Sequence, residues 1–183
     1  MKVRSMLLLF IAGLCFCASM QGQVCTTCPS FEKTSTVSYK KLSSLVGCWK
    51  GKGPNSLAVK VTYQLLSDKT ALLETMSVEN NPMMFTVYYL DGETAVANHY
   101  CSYGNQLKMR AKPALDPDVL SFTFVDGVNM KDLDDNHMTY IKFMFRDQDH
   151  FDAEWGLHNR KDMPQPFSFR RVAQGCSAKL DEW

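Results

Sequence analysis

The chain has 183 residues, 45% of them hydrophobic and 21% charged, an ordinary globular balance that suits one domain. Its 20 Lys and Arg stand against 19 Asp and Glu, a net charge of +1, and the cations come at most in adjacent pairs such as Lys40-Lys41 and Arg170-Arg171. No basic excess points to nucleic acid or to an anionic membrane surface.

Residues 1–23 read as a secretory signal. Lys2 and Arg4 give a positive start, 6–17 an apolar core, and Ala18-Ser19-Met20-Gln21-Gly22 the small residues of a cleavage site. The apolar run is shorter than the ~20 residues that span a bilayer. The protein is therefore expected to be exported, periplasmic or secreted, with no integral membrane segment once the signal is removed. Leu14, Phe16 and Val24 precede Cys15, Cys17 and Cys25, so the small residue that a lipoprotein needs before its acceptor Cys is missing. Residues 24–37 read as a polar tail, and 38–46 as a short helical lead-in.

Cys15 and Cys17 leave with the signal, and Cys25, Cys28, Cys48, Cys101 and Cys176 remain. Export permits disulfides, and an odd count leaves at least one thiol free or paired with another chain. Cys25, Cys28 and Cys176 flank the first and last strands. One of the first two is expected to bridge to Cys176, or else Cys25 bridges Cys28.

Gly47-Cys48-Trp49-Lys50-Gly51-Lys52-Gly53 opens the folded part. Alternation puts Trp49, Gly51 and Gly53 on one face, one bulky plug followed by two empty positions, which suits a strand that bends. Strands follow at 57–65, 70–79, 83–90, 93–102, 106–112, 119–125, 138–146, 150–155 and 167–172. They are separated by turn signals such as Ser67-Asp68-Lys69, Asp91-Gly92 and Gly104-Asn105. The acidic stretch 128–136 reads as a loop with room for a helical turn. Residues 174–183 form a C-terminal tail.

About ten antiparallel strands with tight turns make a meander. Several are apolar on both faces, so a flat sheet would expose one face and two edges. Closure removes the edges. The expected fold is all-β, an antiparallel up-and-down closed barrel over 38–173, with a two-sheet sandwich as the rival.

The opening heptad resembles the G-x-W-x-G-x-G of nitrobindin-like barrels and, more loosely, the G-x-W of lipocalins, both calycin-type. A longer resemblance, to uncharacterised exported bacterial barrel proteins, runs through Leu72-Leu73-Glu74-Thr75, Asn98-His99-Tyr100-Cys101, Gly104-Asn105-Gln106 and Glu154-Trp155. The nitrobindin resemblance implies haem bound through a His just before the final strand. The nearest such residue here, His158, lies across Met163-Pro164-Gln165-Pro166. The calycin resemblance implies an Arg of the closing strand packed over the first-strand Trp, and the alternation Phe167, Phe169, Arg171 selects Arg171 to cover Trp49.

Motifs for phosphate loops, nucleophile elbows and zinc proteases are missing. Asp132, Asp134 and Asp135 lack the glycine and closing Glu of a calcium loop. Cys48, Cys101 and Cys176 stand alone, so no metal site is expected. Glu74, His99, Arg110 and Glu154 lie on four strands between apolar or small neighbours. If they face the lumen they form a polar cluster that orients a ligand, with Tyr63, Tyr88 and Phe143 lining the apolar part. The functional expectation is a barrel holding a small apolar molecule without catalysis and with no required cofactor. One alternative is a haem binder using His99, His137, His150 or His158. The other is an enzyme acting through Glu74, Glu154 and His99.

Overall fold

A sheet whose strands carry a continuous apolar face must cover that face and its two edges, and this one does so by curling until its first and last strands meet. The computed structural model describes residues 37–79, 83–113, 115–161 and 163–173. The expected signal, most of both tails, and Cys25, Cys28 and Cys176 lie outside them. A short helix, α1 (Val37–Ser43), precedes ten strands: β1 (Gly47–Lys52), β2 (Ala58–Leu66), β3 (Ala71–Val78), β4 (Met84–Asp91), β5 (Thr94–Tyr100), β6 (Gln106–Lys112), β7 (Val119–Val128), β8 (Met138–Phe145), β9 (His150–Leu157) and β10 (Gln165–Val172). Each strand pairs antiparallel with its sequence neighbours, and β1 pairs with β10, so the meander closes into a barrel. The stretch 128–136 carries no helix; β7 runs on to Val128 and bends follow.

The seam between β1 and β10 depends on the opening heptad. Trp49 faces inward and is 1% exposed. Its register partner on β10 is Arg171, whose guanidinium carbon lies 4.2 Å from the indole ring centre. The indole Nε1–H donates to the Leu45 carbonyl at 2.7 Å. Arg171 donates to the carbonyls of Val46 (2.7 Å), Ser44 (2.9 Å) and Gln148 (3.0 Å). One side chain thus ties the lead-in, the first strand, the β8–β9 turn and the last strand. Gly51 lets β10 approach. A Cβ there would sit 2.0 Å from the Ser168 carbonyl oxygen, and Phe169 fills the space above it. Gly47 has φ +124, and a Cβ there would meet the Arg171 guanidinium at 3.0 Å.

α1 covers the end of the barrel where β1 begins. Tyr39, Leu42 and Leu45 join the core, and the Tyr39 hydroxyl donates to the Lys69 carbonyl at 3.1 Å in the β2–β3 turn. Lys41 pairs with Asp118 at 3.0 Å and lies over the Phe145 ring. The lumen next to this end is filled by rings. Phe151 meets Trp49 edge-on at 4.7 Å and stacks on Phe169 at 4.7 Å, and Phe122, Phe143 and Tyr88 pack above. The opposite end, bounded by the 53–57, 101–105, 129–137 and 158–164 connections, is the mouth.

Two losses of stability are expected at the seam. Trp49→Ala should cost about 3–5 kcal/mol. Arg171→Lys keeps the charge but forfeits most of the carbonyl contacts, and should cost about 2 kcal/mol with a shift in Trp fluorescence. Urea melts check both, and parent-like melting of both variants would place the closure elsewhere.

Candidate functional site

The inward faces of four consecutive strands bring polar side chains into one row. Tyr63 on β2 is the register partner of Glu74 on β3, Glu74 of Thr86 on β4, and Thr86 of His99 on β5. Glu74 is 4% exposed. Its Oε2 accepts from the Tyr88 hydroxyl at 2.8 Å and its Oε1 from the Thr86 hydroxyl at 3.2 Å, with the Tyr63 hydroxyl as a third donor. Among the described residues no cation pairs with it. Burial raises the carboxyl pKa and the three hydroxyls pull it part of the way back. Burial first, and the Glu74 charge second, push the Tyr63 and Tyr88 phenols well above their ordinary value.

Thr86 Oγ1 lies 2.9 Å from His99 Nδ1. His99 is 1% exposed, and burial lowers its pKa to about 4, so it is neutral at pH 7. With one hydroxyl proton to give, Thr86 couples the two groups. When Glu74 is ionised, Thr86 donates to it and accepts from His99 Nδ1–H, which leaves Nε2 a bare acceptor. When Glu74 carries a proton and gives it to Thr86, the ring proton moves to Nε2. In either state Nε2 has no hydrogen-bond partner among the described residues.

The His99 ring stands edge-on to Trp155 at 6.1 Å, and Trp155 packs on Phe167 at 4.5 Å. Trp155 and Phe167 line a cavity of about 380 Å³ at the mouth, together with Val78, Met84, Cys101 and Met138. Met84 and Cys101 stand two residues nearer the mouth than Thr86 and His99 on the same faces, so the polar row lies directly beneath the cavity. Its size and mainly apolar lining are those of a small-molecule pocket.

Of the residues singled out from sequence, Glu74, His99, Tyr63, Tyr88 and Phe143 all point inward. Tyr63 meets Phe151 at 6.3 Å, and Tyr88 lies 5.5 Å from Phe122 and 6.2 Å from Phe143. Tyr63 belongs to the row, Tyr88 and Phe143 fill the lumen below it, and none of the three lines the mouth cavity. The expected lumen positions of Arg110 and Glu154 are overturned by strand parity. Leu107 and Met109 take the inward face of β6, so Arg110 stands outside, ion-paired with Asp91. Ala153 and Trp155 take the inward face of β9, so Glu154 stands outside and accepts from the Tyr140 hydroxyl at 2.7 Å. Burial, then Glu154, push the Tyr140 phenol up to about 12. The two carboxylates are thus on opposite sides of the wall and cannot share a substrate.

Thr86 is the member that sequence reasoning missed. Counting back from the Asp91-Gly92 hairpin pairs it with His99, and that was the available signal. The other histidines sit apart. His137 donates from Nδ1 to the Asp135 carbonyl at 2.7 Å and stacks on His158 at 4.9 Å. His158 Nε2 lies 3.7 Å from Asp134. His150 is exposed beside Asp147. Among the described residues no group of three or more His, Cys, Asp or Glu converges as a metal site. None of their helices is long and apolar enough to cross a membrane.

No protein-family model matches the chain, and no curated protein matches it. Among solved structures it is similar to Rv2717c from M. tuberculosis, with a TM-score of 0.52 and 13% identity over 74% of this chain and 97% of that one. It is also similar to a protein of unknown function from the DUF3598 family of Nostoc punctiforme, with a TM-score of 0.50 and 12% identity over 72% of this chain. The chain spans about half, 49%, of the length of the Nostoc protein. At these identities the likeness is one of fold.

The buried row makes opposite demands on pH. His99 has its pKa depressed from 6.5 to about 4, so its contribution is present above pH 6.5 and lost as pH falls toward 4. The parent should therefore lose about 3 kcal/mol more than His99→Gln between pH 7 and pH 4. Glu74 has its pKa raised, so its contribution is present below the ordinary value of 4.5 and lost as pH rises through the folded value. Glu74→Gln should gain on the parent as pH rises from 4.5 through the raised value. Denaturant melts across pH test both, and flat differences would show that neither group is buried in these charge states.

Proposed function

We propose that the protein holds one small, largely apolar molecule at the mouth of its barrel, with the polar head of that molecule hydrogen-bonded to Nε2 of His99. One observation carries this reading. A buried imidazole, tied through Thr86 to Glu74, keeps an Nε2 that has no partner among the described residues beneath an apolar cavity of about 380 Å³. An unpaired buried polar atom costs about 1–3 kcal/mol, which a ligand head group would recover. With Glu74 ionised, Nε2 is an acceptor, which suits a head that donates, such as an alcohol, phenol or amide. Trp155 touches both His99 and the cavity, so it is the side chain that gives way as the head group enters. The leader-like residues 1–23 support a role outside the cytoplasm, and the opening heptad together with the closed barrel supports a calycin-type assignment. Binding needs no catalysis.

The same atom supports a second reading. A neutral imidazole held at Nδ1 by a hydroxyl is the form that ligates haem iron through Nε2.

Native mass spectrometry of protein purified from its own host is expected to show one adduct of small-molecule mass, released on denaturation. A Soret band in that preparation, lost in His99→Ala, would select haem instead. Against an apolar fluorescent probe, Cys101→Phe should fill the mouth and abolish binding while the fold melts as before. His99→Gln should weaken head-group ligands about tenfold, equivalent to about 1.4 kcal/mol. Parent-like binding by Cys101→Phe would rule the mouth out.

A further inference from the structure

The outer wall at the seam carries a row of cations that the barrel register assembles. Lys60 on β2 lies opposite Lys50 on β1, Lys50 opposite Arg170 on β10, and Arg170 opposite His150 on β9. Lys52, two residues along β1, adds another basic side chain. Like charges facing each other on neighbouring strands are destabilising, so the sheet bears a cost at each Lys and Arg pairing. The nearby acids do not relieve it. Asp147 is engaged by His150 at 3.0 Å and Asp152 by Arg146 at 2.6 Å. Among the described residues no carboxylate pairs with Lys50, Lys52, Lys60 or Arg170. The row borders a shallow cleft of about 570 Å³ on the outside of the barrel.

We propose that this face docks the protein onto an anionic lipid surface. A local cluster of basic side chains is what such a surface attracts, at about fivefold in affinity per Lys or Arg near the headgroups. The rest of the chain offsets these charges to a net +1, so the attraction belongs to this wall and orients the molecule. The outward residues between the cations are small or polar, Ala58, Thr62, Ser77 and Ser168. The outward faces of β1, β2 and β10 therefore offer no aromatic ring for stacking bases, which disfavours single-stranded nucleic acid. The row crosses the strands of the wall, so the docked barrel lies on its side with the mouth uncovered. This surface is separate from the mouth and stands whether or not the mouth binds a ligand.

The test is co-sedimentation of the protein, as the cell processes it, with vesicles of phosphatidylcholine alone or mixed with phosphatidylglycerol. Binding is expected only to the anionic vesicles. It should be released at about 1 M salt, where the screening length is about 3 Å. Lys50→Glu sets an anion between Lys60 and Arg170, which favours the fold, and should weaken vesicle binding about 20-fold. Lys108→Glu makes the same change of charge on the outward face of β6 and should alter binding less than threefold. Equal binding to neutral vesicles, equal loss in the two variants, or tighter binding to a DNA oligonucleotide than to the anionic vesicles would overturn the proposal. So would a tenfold gain on Asp181→Asn with Glu182→Gln, which would assign the row to the chain's own acidic terminus.

Discussion

The barrel depends on one stack, the Arg171 guanidinium over the Trp49 indole. A meander of ten strands has two free edges until β1 and β10 pair, and every inward side chain is exposed until that happens. The stack contributes about 0.5–2 kcal/mol as a cation–π contact. Its larger effect is positional, because the guanidinium also holds the carbonyls of Ser44, Val46 and Gln148. These anchor the connection from α1 to β1 and the β8–β9 turn, the parts that cover the closed end. Gly51 is the steric counterpart, since any side chain there would push β10 off β1.

Closing one end by rings leaves the lumen open toward the other, where a cavity of about 380 Å³ lies. The aromatic packing of Trp49, Phe151, Phe143, Phe122 and Tyr88 fills the lumen up to the polar row. Above that row the lining turns to Met, Val, Cys and Trp, and a cavity opens. The row itself is a carboxyl buried without a cation, kept by hydroxyl donors from three neighbouring residues. That arrangement is tolerable because each donor lies on an adjacent strand or the same face, so no long side chain has to be ordered to reach it. Its end member, His99, carries the group left over.

The outside of the barrel is organised by the same register with the opposite parity. Arg110 with Asp91, Arg146 with Asp152, and Tyr140 with Glu154 are local pairs of that wall. Charges stand outward at mid-strand on β1, β2, β6, β8, β9 and β10, whereas a barrel that crosses a membrane carries an apolar band there. Among the described residues Lys50, Lys52, Lys60 and Arg170 on β1, β2 and β10 take no part in such local ion pairs.

The sequence by itself determined the strands and their order and favoured closure over a two-sheet sandwich, which the β1–β10 pairing decided. Apolar alternation and the Asp91-Gly92 and Gly104-Asn105 turns are local signals, and a meander needs only local pairings to be read. Trp49 and Gly51 were legible in the opening heptad, and Arg171 was legible because the calycin resemblance implies an Arg over the first-strand Trp and the alternation along the last strand selects it. Tertiary structure alone decided the site. Whether Glu154 or Arg110 enters the lumen depends on a single step of parity, which apolar neighbours on both sides of a short strand do not reveal. The polar row of Tyr63, Glu74, Thr86 and His99 depends on the register of four consecutive strands, and the cation row on that of β2, β1, β10 and β9. Lys50 and Arg170 stand 120 positions apart in a nearly neutral chain, and only the β1–β10 seam sets them side by side, with Lys60 added by the β1–β2 pairing.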